Sequence, residues 1–233
     1  MTASDNHEPS GVRTPVLQVI GLSATAFVLL ALLVGSHASW LVRFDAWVSD
    51  HARTAALARP WWRSLMAAVT VTGGTAVILP LAVIGCVVLV ASGRWRQAVF
   101  VVVALTVTLT TRLAVLALIA RPRPDRRLAS AASYSFPSGH TTASATAALV
   151  LVLVCWPLLR TRKSRIVLAS AAGVWAVAVG VSRVALVVHW PSDVLGGWLF
   201  ATAVVLSVHL VICRTLGLPA KLPVSIAVQG GDR

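Results

Sequence analysis

An all-α, polytopic membrane protein, a bundle of six transmembrane helices, is the fold this sequence predicts, and three observations predict it. The 233 residues are 58% hydrophobic and 12% charged, about half the charged share of an ordinary soluble domain, and the mean hydropathy is +0.85. The apolar residues gather into runs near the roughly 20 residues that a helix needs to cross a bilayer. The charged residues fall between those runs, in short polar loops.

Residues 1–12 are polar and contain Pro9, Ser10 and Gly11, the composition of a disordered tail. The first apolar run, Pro15 to Gly35, lacks a small-residue cleavage site and is followed by further spans, so it is expected to remain a membrane helix. Further spans are expected at 75–92, 98–120, 141–159, 166–187 and 193–213. Between the first two, residues 36–72 interleave Trp40, Val42, Phe44, Trp47 and Val48 with Arg43, Asp45 and Asp50. That mixture predicts an interfacial amphipathic segment, followed by a helix from Trp61. Gly73-Gly74 suits a helix break and Gly196-Gly197 a close helix contact.

The net charge of +13 raises nucleic acid as a partner, but the basic residues form no continuous stripe or basic helix, so none is expected. They lie in short loops, where they set topology and meet anionic headgroups or phosphate. The raw Lys/Arg bias between the two sides is slight. The compact basic loop Arg160-Thr161-Arg162-Lys163-Ser164-Arg165 decides it, placing both termini in the cytoplasm and the loops 121–139 and 188–192 on the outer face. Cys86, Cys155 and Cys213 lie inside apolar runs and read as small buried hydrophobes, with no disulfide framework. No acids fall at metal-ligand spacing, so no metal or other cofactor is expected.

Chemistry enters where apolar runs meet loops. In Pro137-Ser138-Gly139-His140, Ser138 is a good N-cap for the fourth span. The helix it starts points free N–H groups and its positive end outward, a ready site for phosphate oxygens. Gly139 lets an anion approach the backbone, and His140 lies in the first turn. In the second segment, Arg183 closes the fifth span, His189 lies in the turn, Pro191 suits the first position of the next helix, and Asp193 falls in its first turn. From there the carboxylate can reach His189 and fix its tautomer, as a histidine nucleophile requires. A plain helix cap at Asp193 and a snorkelling Arg183 are the bland alternatives. The third element, Arg121-Pro122-Arg123-Pro124, sets two arginines in a stiff extended stretch able to grip phosphate.

Together these segments resemble the type 2 phosphatidic acid phosphatase superfamily, membrane branch. Its pattern is Lys-(six)-Arg-Pro, Pro-Ser-Gly-His and Ser-Arg-(five)-His-(three)-Asp. The second and third parts stand complete here, at 137–140 and 182–193. The resemblance implies an integral-membrane lipid phosphate phosphatase with an outward-facing, metal-independent site. Phosphatidic acid, phosphatidylglycerol phosphate and polyprenyl diphosphate are the candidate substrates. It implies that His189 attacks phosphorus to give a phosphohistidine, that Asp193 orients it, and that His140 protonates the leaving group and then activates water. Arg123, Ser138, Gly139 and Arg183 would hold the phosphoryl oxygens. The division that follows is a tail (1–12), a first helix with its interfacial segment (13–59), a catalytic domain (60–213) and a cytoplasmic tail (214–233).

The first part of the pattern departs. Counting back from Arg123, the lysine position holds Leu116, and counting from Arg121 it holds Ala114, also no lysine. Arg112, one helical turn before Leu116 on the same face and the one charged residue deep in the third span, is the candidate to supply the missing cation. The missing lysine also leaves a second reading open, a non-catalytic lipid-phosphate binder or transporter on the same scaffold; the intact His140, His189 and Asp193 argue against it. Haloperoxidase chemistry, known in soluble relatives, does not suit so apolar a chain. His37, His51 and His209 carry no pattern.

Overall fold

In the computed structural model, residues 13–131 and 133–217 are described. The tail expected at 1–12, and all but the first residues of the one expected at 214–233, lie outside them. The described chain is helical: α1 (Arg13–Gly35), α2 (Ser39–Ala58), α3 (Pro60–Thr72), α4 (Thr75–Ala91), α5 (Trp95–Ile119), α6 (Gly139–Cys155), α7 (Arg162–Ala185) and α8 (Pro191–Leu216). A single 3₁₀ turn, Trp156–Leu158, extends α6.

Six segments are long and apolar enough to cross a membrane: Pro15–Gly35, Pro60–Ala91, Trp95–Ile119, Gly139–Leu158, Arg162–Ala185 and Pro191–Leu216. The six-helix expectation therefore stands. Its second member begins earlier than residue 75, because α3 and α4 form one crossing of 32 residues broken at Gly73-Gly74. At 1.5 Å per residue that is about 48 Å, more than the roughly 30 Å hydrocarbon core. Arg63, Ser64 and Thr70 make α3 too polar to stand out as a span in the sequence. α2 is the amphipathic segment, burying Leu41, Asp45, Ser49 and Ala56 while Trp40, Phe44 and Trp47 stay exposed.

α6 is the centre of the bundle and packs on α5, α7 and α8. In its apolar window 61% of residues are buried, against 6% for Pro60–Ala91, whose Leu81, Val83, Ile84, Val87 and Val88 face outward. Bilayer lipid is as apolar as leucine, so helices associate there through close packing of small residues. α6 buries Thr141, Thr142, Ser144, Ala145, Thr146 and Ala148 accordingly. A larger apolar core, including Phe100, Val101, Ala104, Val150, Leu153 and Val205, joins α5, α6 and α8 toward the other end, with Val16 of α1 against it.

The helix ends that carry the chemistry meet at one end of the bundle. α5 stops at Ala120, in the left-handed region at φ 47°, which turns the chain into the Arg121-Pro122-Arg123-Pro124 stretch. α7 ends in a Schellman turn, with Val188 N–H bonded to Arg183 O and Val187 N–H to Val184 O. Its left-handed residue is Val187 at φ 55°, where glycine is usual, and for a β-branched residue this costs about 1–3 kcal/mol. The turn brings the His189 N–H back under Arg183 O at 3.3 Å. Ser138 is the extended N-cap residue of α6 and Pro191 opens α8, as expected.

The glycine pairs have distinct partners. A Cβ at Gly197 would lie 3.2 Å from Ser138 O and 3.0 Å from Thr141 Cβ, so α8 meets the first turn of α6 through its backbone. A Cβ at Gly73 would overlap Val179 Cγ1 of α7. Gly73→Ala should therefore lower thermal stability in detergent, at the scale of about 1–3 kcal/mol for overpacking. Gly85→Ala, with nothing within 4 Å of its Cβ, should leave it unchanged. Equal melting curves for the two variants would refute the close α3–α7 contact.

Candidate active site

One cavity of about 360 Å³ opens among α4, α5, α6, the loop 120–138 and the end of α7, and Arg112, Arg123, Gly139, His140, Arg183 and His189 all line it. Arg112, Arg123, Arg183 and both histidines of the pattern are thereby brought together, and Arg121 is not among the lining residues. Asp193 is fully buried behind His189, with its Oδ2 3.3 Å from His189 Nδ1, a long contact.

The tautomer of His189 follows from its neighbours. Arg123 Nη1 lies 2.9 Å from His189 Nε2, and a guanidinium only donates. Nε2 is therefore the acceptor, and the ring proton is assigned to Nδ1, facing Asp193. Burial pushes the imidazole pKa down to about 4, against the hydrogen bond and charge of Asp193, which raise it, while Arg123 and Arg183 add to the lowering. At neutral pH the ring is uncharged, and its lone pair is taken by Arg123, which lines the cavity beside it.

The Asp193 carboxylate has three partners. Oδ2 accepts the Trp190 N–H at 2.9 Å besides facing His189, and Oδ1 accepts from Arg121 Nη1 at 2.7 Å. Helix cap and histidine orientation, posed as alternatives in the sequence, are both present in one carboxylate.

Each guanidinium is held differently. Arg123 donates to the carbonyls of Ser133 (2.9 Å), Tyr134 (3.0 Å) and Val188 (2.8 Å), which strap the loop to the α7–α8 turn; burial lowers its pKa. Arg183 Nη1 donates to Thr70 Oγ1 at 2.6 Å, while its Nε is buried without a hydrogen-bond partner. Arg112 Nε donates to the Pro137 carbonyl at 3.1 Å. A Cβ on Gly139 would stand 2.9 Å from Arg112 Nη2. The missing side chain of Gly139 thus makes room for Arg112, where the sequence suggested only an open approach for an anion. Leu116, at the family's lysine position, is buried and does not line the cavity.

Ser138 occupies the N-cap position without making a cap bond. Its hydroxyl accepts from Thr141 Oγ1 at 2.9 Å, and its N–H donates to Asp193 O at 3.0 Å, tying α6 to α8. His140 is half-buried, with Nε2 3.4 Å from the position a Cβ would take at Gly74. The α3–α4 break therefore borders the site. Among the described residues, no group of three or more His, Cys, Asp or Glu side chains is placed to hold a metal ion.

One arginine differs from expectation and one acid is new to the site. Arg121, expected to help grip phosphate, is turned away from the cavity and pairs with Asp45 and Asp193, both at 2.7 Å. Asp45 was counted only as part of an amphipathic face. The available signal was its place four residues after Leu41 and four before Ser49, on the buried stripe of α2.

The arrangement combines a neutral, oriented imidazole, a second histidine and three guanidiniums around a space of phosphate-handling size. The PAP2 superfamily matches residues 97–215. Phosphatidylglycerophosphatase B of Bacillus subtilis (strain 168) is 33% identical over 180 residues, covering 74% of this chain and 84% of that protein. Phosphatidylglycerophosphatase B of Escherichia coli (strain K12) is 42% identical over 72 residues, which are 31% of this chain and 26% of that protein. The crystal structure of a transmembrane PAP2 type phosphatidylglycerolphosphate phosphatase from Bacillus subtilis superposes with a TM-score of 0.73 at 28% identity, over 84% of this chain and 96% of that one. With these likenesses the non-catalytic reading falls away, and the chain belongs to the PAP2 superfamily, as a multi-pass membrane phosphatase of its lipid phosphate branch.

Proposed function

We propose that this enzyme removes the phosphate monoester from a glycerophospholipid, phosphatidylglycerophosphate first among the candidates, through a phosphohistidine on His189. The observation that carries the proposal is the single cavity where His140, His189, Arg112, Arg123 and Arg183 meet, with Asp193 behind the nucleophile. The same cavity continues between Ile78, Leu79, Leu105 and Leu109, which suits the apolar part of an amphiphile. The Bacillus relatives support the choice of headgroup.

In the first step the His189 Nε2 lone pair forms a bond to phosphorus. The bond from phosphorus to the lipid oxygen breaks, its electron pair goes to that oxygen, and protonated His140 supplies the proton. In the second, water attacks phosphorus and gives its proton to His140, the P–N electrons return to His189, and inorganic phosphate leaves. Nδ1–H stays donated to Asp193 throughout. For phosphate to bind, Arg123 exchanges the Nε2 lone pair for phosphoryl oxygens. Arg183, Arg112 and the first-turn N–H groups at Gly139 complete the cradle, whereas Ser138, expected there too, is wholly buried outside the cavity lining and holds the start of α6 against α8. Arg112 takes the place of the family's lysine.

His189→Ala should abolish phosphate release, and His140→Ala should lower kcat by about 10²–10⁴-fold, the range of general acid–base help. Asp193→Asn should retain a small residual rate, with folding checked because the same carboxylate caps α8. Arg112→Ala should lower kcat/KM about tenfold or more in folded protein, the loss of one modest transition-state contact. Full activity in Arg112→Ala, or only lost thermal stability, would make that residue structural.

Substrate choice is tested by phosphate release from phosphatidylglycerophosphate, phosphatidic acid and a polyprenyl diphosphate, each in detergent with EDTA. The expected result is undiminished activity in EDTA and the highest kcat/KM on phosphatidylglycerophosphate. A preference for the diphosphate would overturn the headgroup assignment, and a rate restored only by Mg²⁺ would overturn the metal-independent chemistry.

We also assign both termini to the cytoplasm and the site to the outer face. The basic turn 160–165 joins α6 to α7 at the end of the bundle opposite the cavity, which supports that orientation. Single cysteines at Ser130 or Ser133, in a cysteine-free background, should react with an impermeant reagent added outside intact cells. Reaction at Ser164 instead would invert the topology.

A further inference from the structure

Asp45 and Asp193 are the two buried carboxylates among the described residues, 1% and 0% exposed, and both bind one guanidinium, that of Arg121. Arg121 Nη2 donates to Asp45 Oδ2 at 2.7 Å, and Nη1 donates to Asp193 Oδ1 and to Ser192 Oγ, each at 2.7 Å. The Ser192 N–H donates to Asp45 Oδ1 at 3.1 Å, and the Ser192 hydroxyl donates to Oδ2. Trp190 covers the guanidinium, 5.5 Å from its ring centroid. The chain thus runs from α2 through Arg121 and Asp193 to His189.

Charge decides what such a chain can do. A lone buried Asp193 paired with Arg121 would be neutralised, and the field it offers His189 would be weak. The second carboxylate changes the balance: two acids around one base leave one negative charge, and Asp193 Oδ2 is the edge that faces the imidazole. Burial away from water makes that charge count for more than it would in solvent. Holding three buried ionic groups together is expensive, and apolar residues would stabilise a helix contact more simply.

We propose that Asp45 is a positioning residue for the nucleophile: it neutralises Arg121, so that the Asp193 carboxylate remains available to the positive charge that develops on His189 as the P–N bond forms. The inference rests on the phosphohistidine reading above. It also extends the working part of the enzyme to α2, outside residues 97–215 and outside the catalytic domain expected at 60–213.

The test uses the full-length protein in detergent, with phosphatidic acid labelled on its phosphate as the probe. Asp45→Asn keeps the size of the side chain and its Oδ1 acceptor for the Ser192 N–H, but removes the charge and the Oδ2 acceptor. It should lower kcat about tenfold or more, one pKa unit of lost charge preference being a factor of ten, with KM within about twofold. The pair Asp45→Asn with Arg121→Gln removes both charges, leaves Asp193 its net negative charge, and should recover most of the lost kcat. A double variant no faster than Asp45→Asn, or a single variant with the wild-type kcat, overturns the proposal; the first outcome is what a purely structural Asp45 gives. Should Asp45→Asn fail to fold, the double variant alone decides: a rate as low as that of Asp193→Asn overturns it. Trapping wild-type enzyme on the same probe separates this inference from its premise. An acid-labile, alkali-stable phosphoprotein, absent from His189→Ala, upholds the nucleophile, so an unaffected Asp45→Asn then sinks only the role of Asp45. Turnover without any such phosphoprotein sinks both.

Discussion

The Asp193 carboxylate is the constraint on which the rest of the site depends. It is wholly buried, so each lone pair needs a donor, and the donors come from separate parts of the chain. Trp190 N–H belongs to the α7–α8 turn, His189 Nδ1–H is the side chain that the turn delivers, and Arg121 arrives from the loop after α5. The backbone carbonyl of the same residue accepts the Ser138 N–H and so docks the start of α6. Satisfying one residue therefore sets the relative placement of three helix ends, and with them the cavity.

Around that anchor, the cavity concentrates positive charge. Arg112, Arg123 and Arg183 are turned into one space, and each is held by a backbone carbonyl or a hydroxyl. A neutral hydrogen-bond acceptor fixes a guanidinium in place without cancelling its charge, as the Pro137 carbonyl does for Arg112 and the Thr70 hydroxyl for Arg183. The buried Nε of Arg183, which lacks a hydrogen-bond partner, has the same character. Arg121 is the contrast. It has two carboxylates, and it lies behind Asp193, away from the cavity.

The scaffold separates this polar end from its membrane-facing body through helix packing. α6 is lined with small and hydroxyl residues that let α5, α7 and α8 close around it, while the outer helices present Leu, Val and Ile outward. Gly197 lets α8 approach the Ser138 carbonyl, and Gly73 admits the Val179 side chain, both near the helix ends that border the cavity. Rigid helix ends, with a strained left-handed Val187 between Arg183 and His189, position the cavity's side chains more narrowly than free loops would.

The sequence by itself determined the membrane class, the six crossings and the grouping of His140, Arg183, His189 and Asp193. Hydropathy runs and short fixed spacings are local properties: Pro191 at the helix start and an acid four residues after His189 constrain their own neighbourhood whatever the remainder of the chain does. Arg112 was legible too, because a charge deep in an apolar run stands out against its surroundings. Three features belonged to the tertiary structure alone. Arg121 and Arg123 sit in near-identical Arg-Pro contexts, and only packing showed that one grips Asp193 while the other faces the cavity. The crossing through α3 was masked because two of its polar residues are met only by distant partners, Thr70 by Arg183 and Arg63 by the Leu128 carbonyl. Asp45 reaches the site from 147 residues before Ser192, and a pairing over that separation leaves no periodicity or spacing for a sequence to reveal.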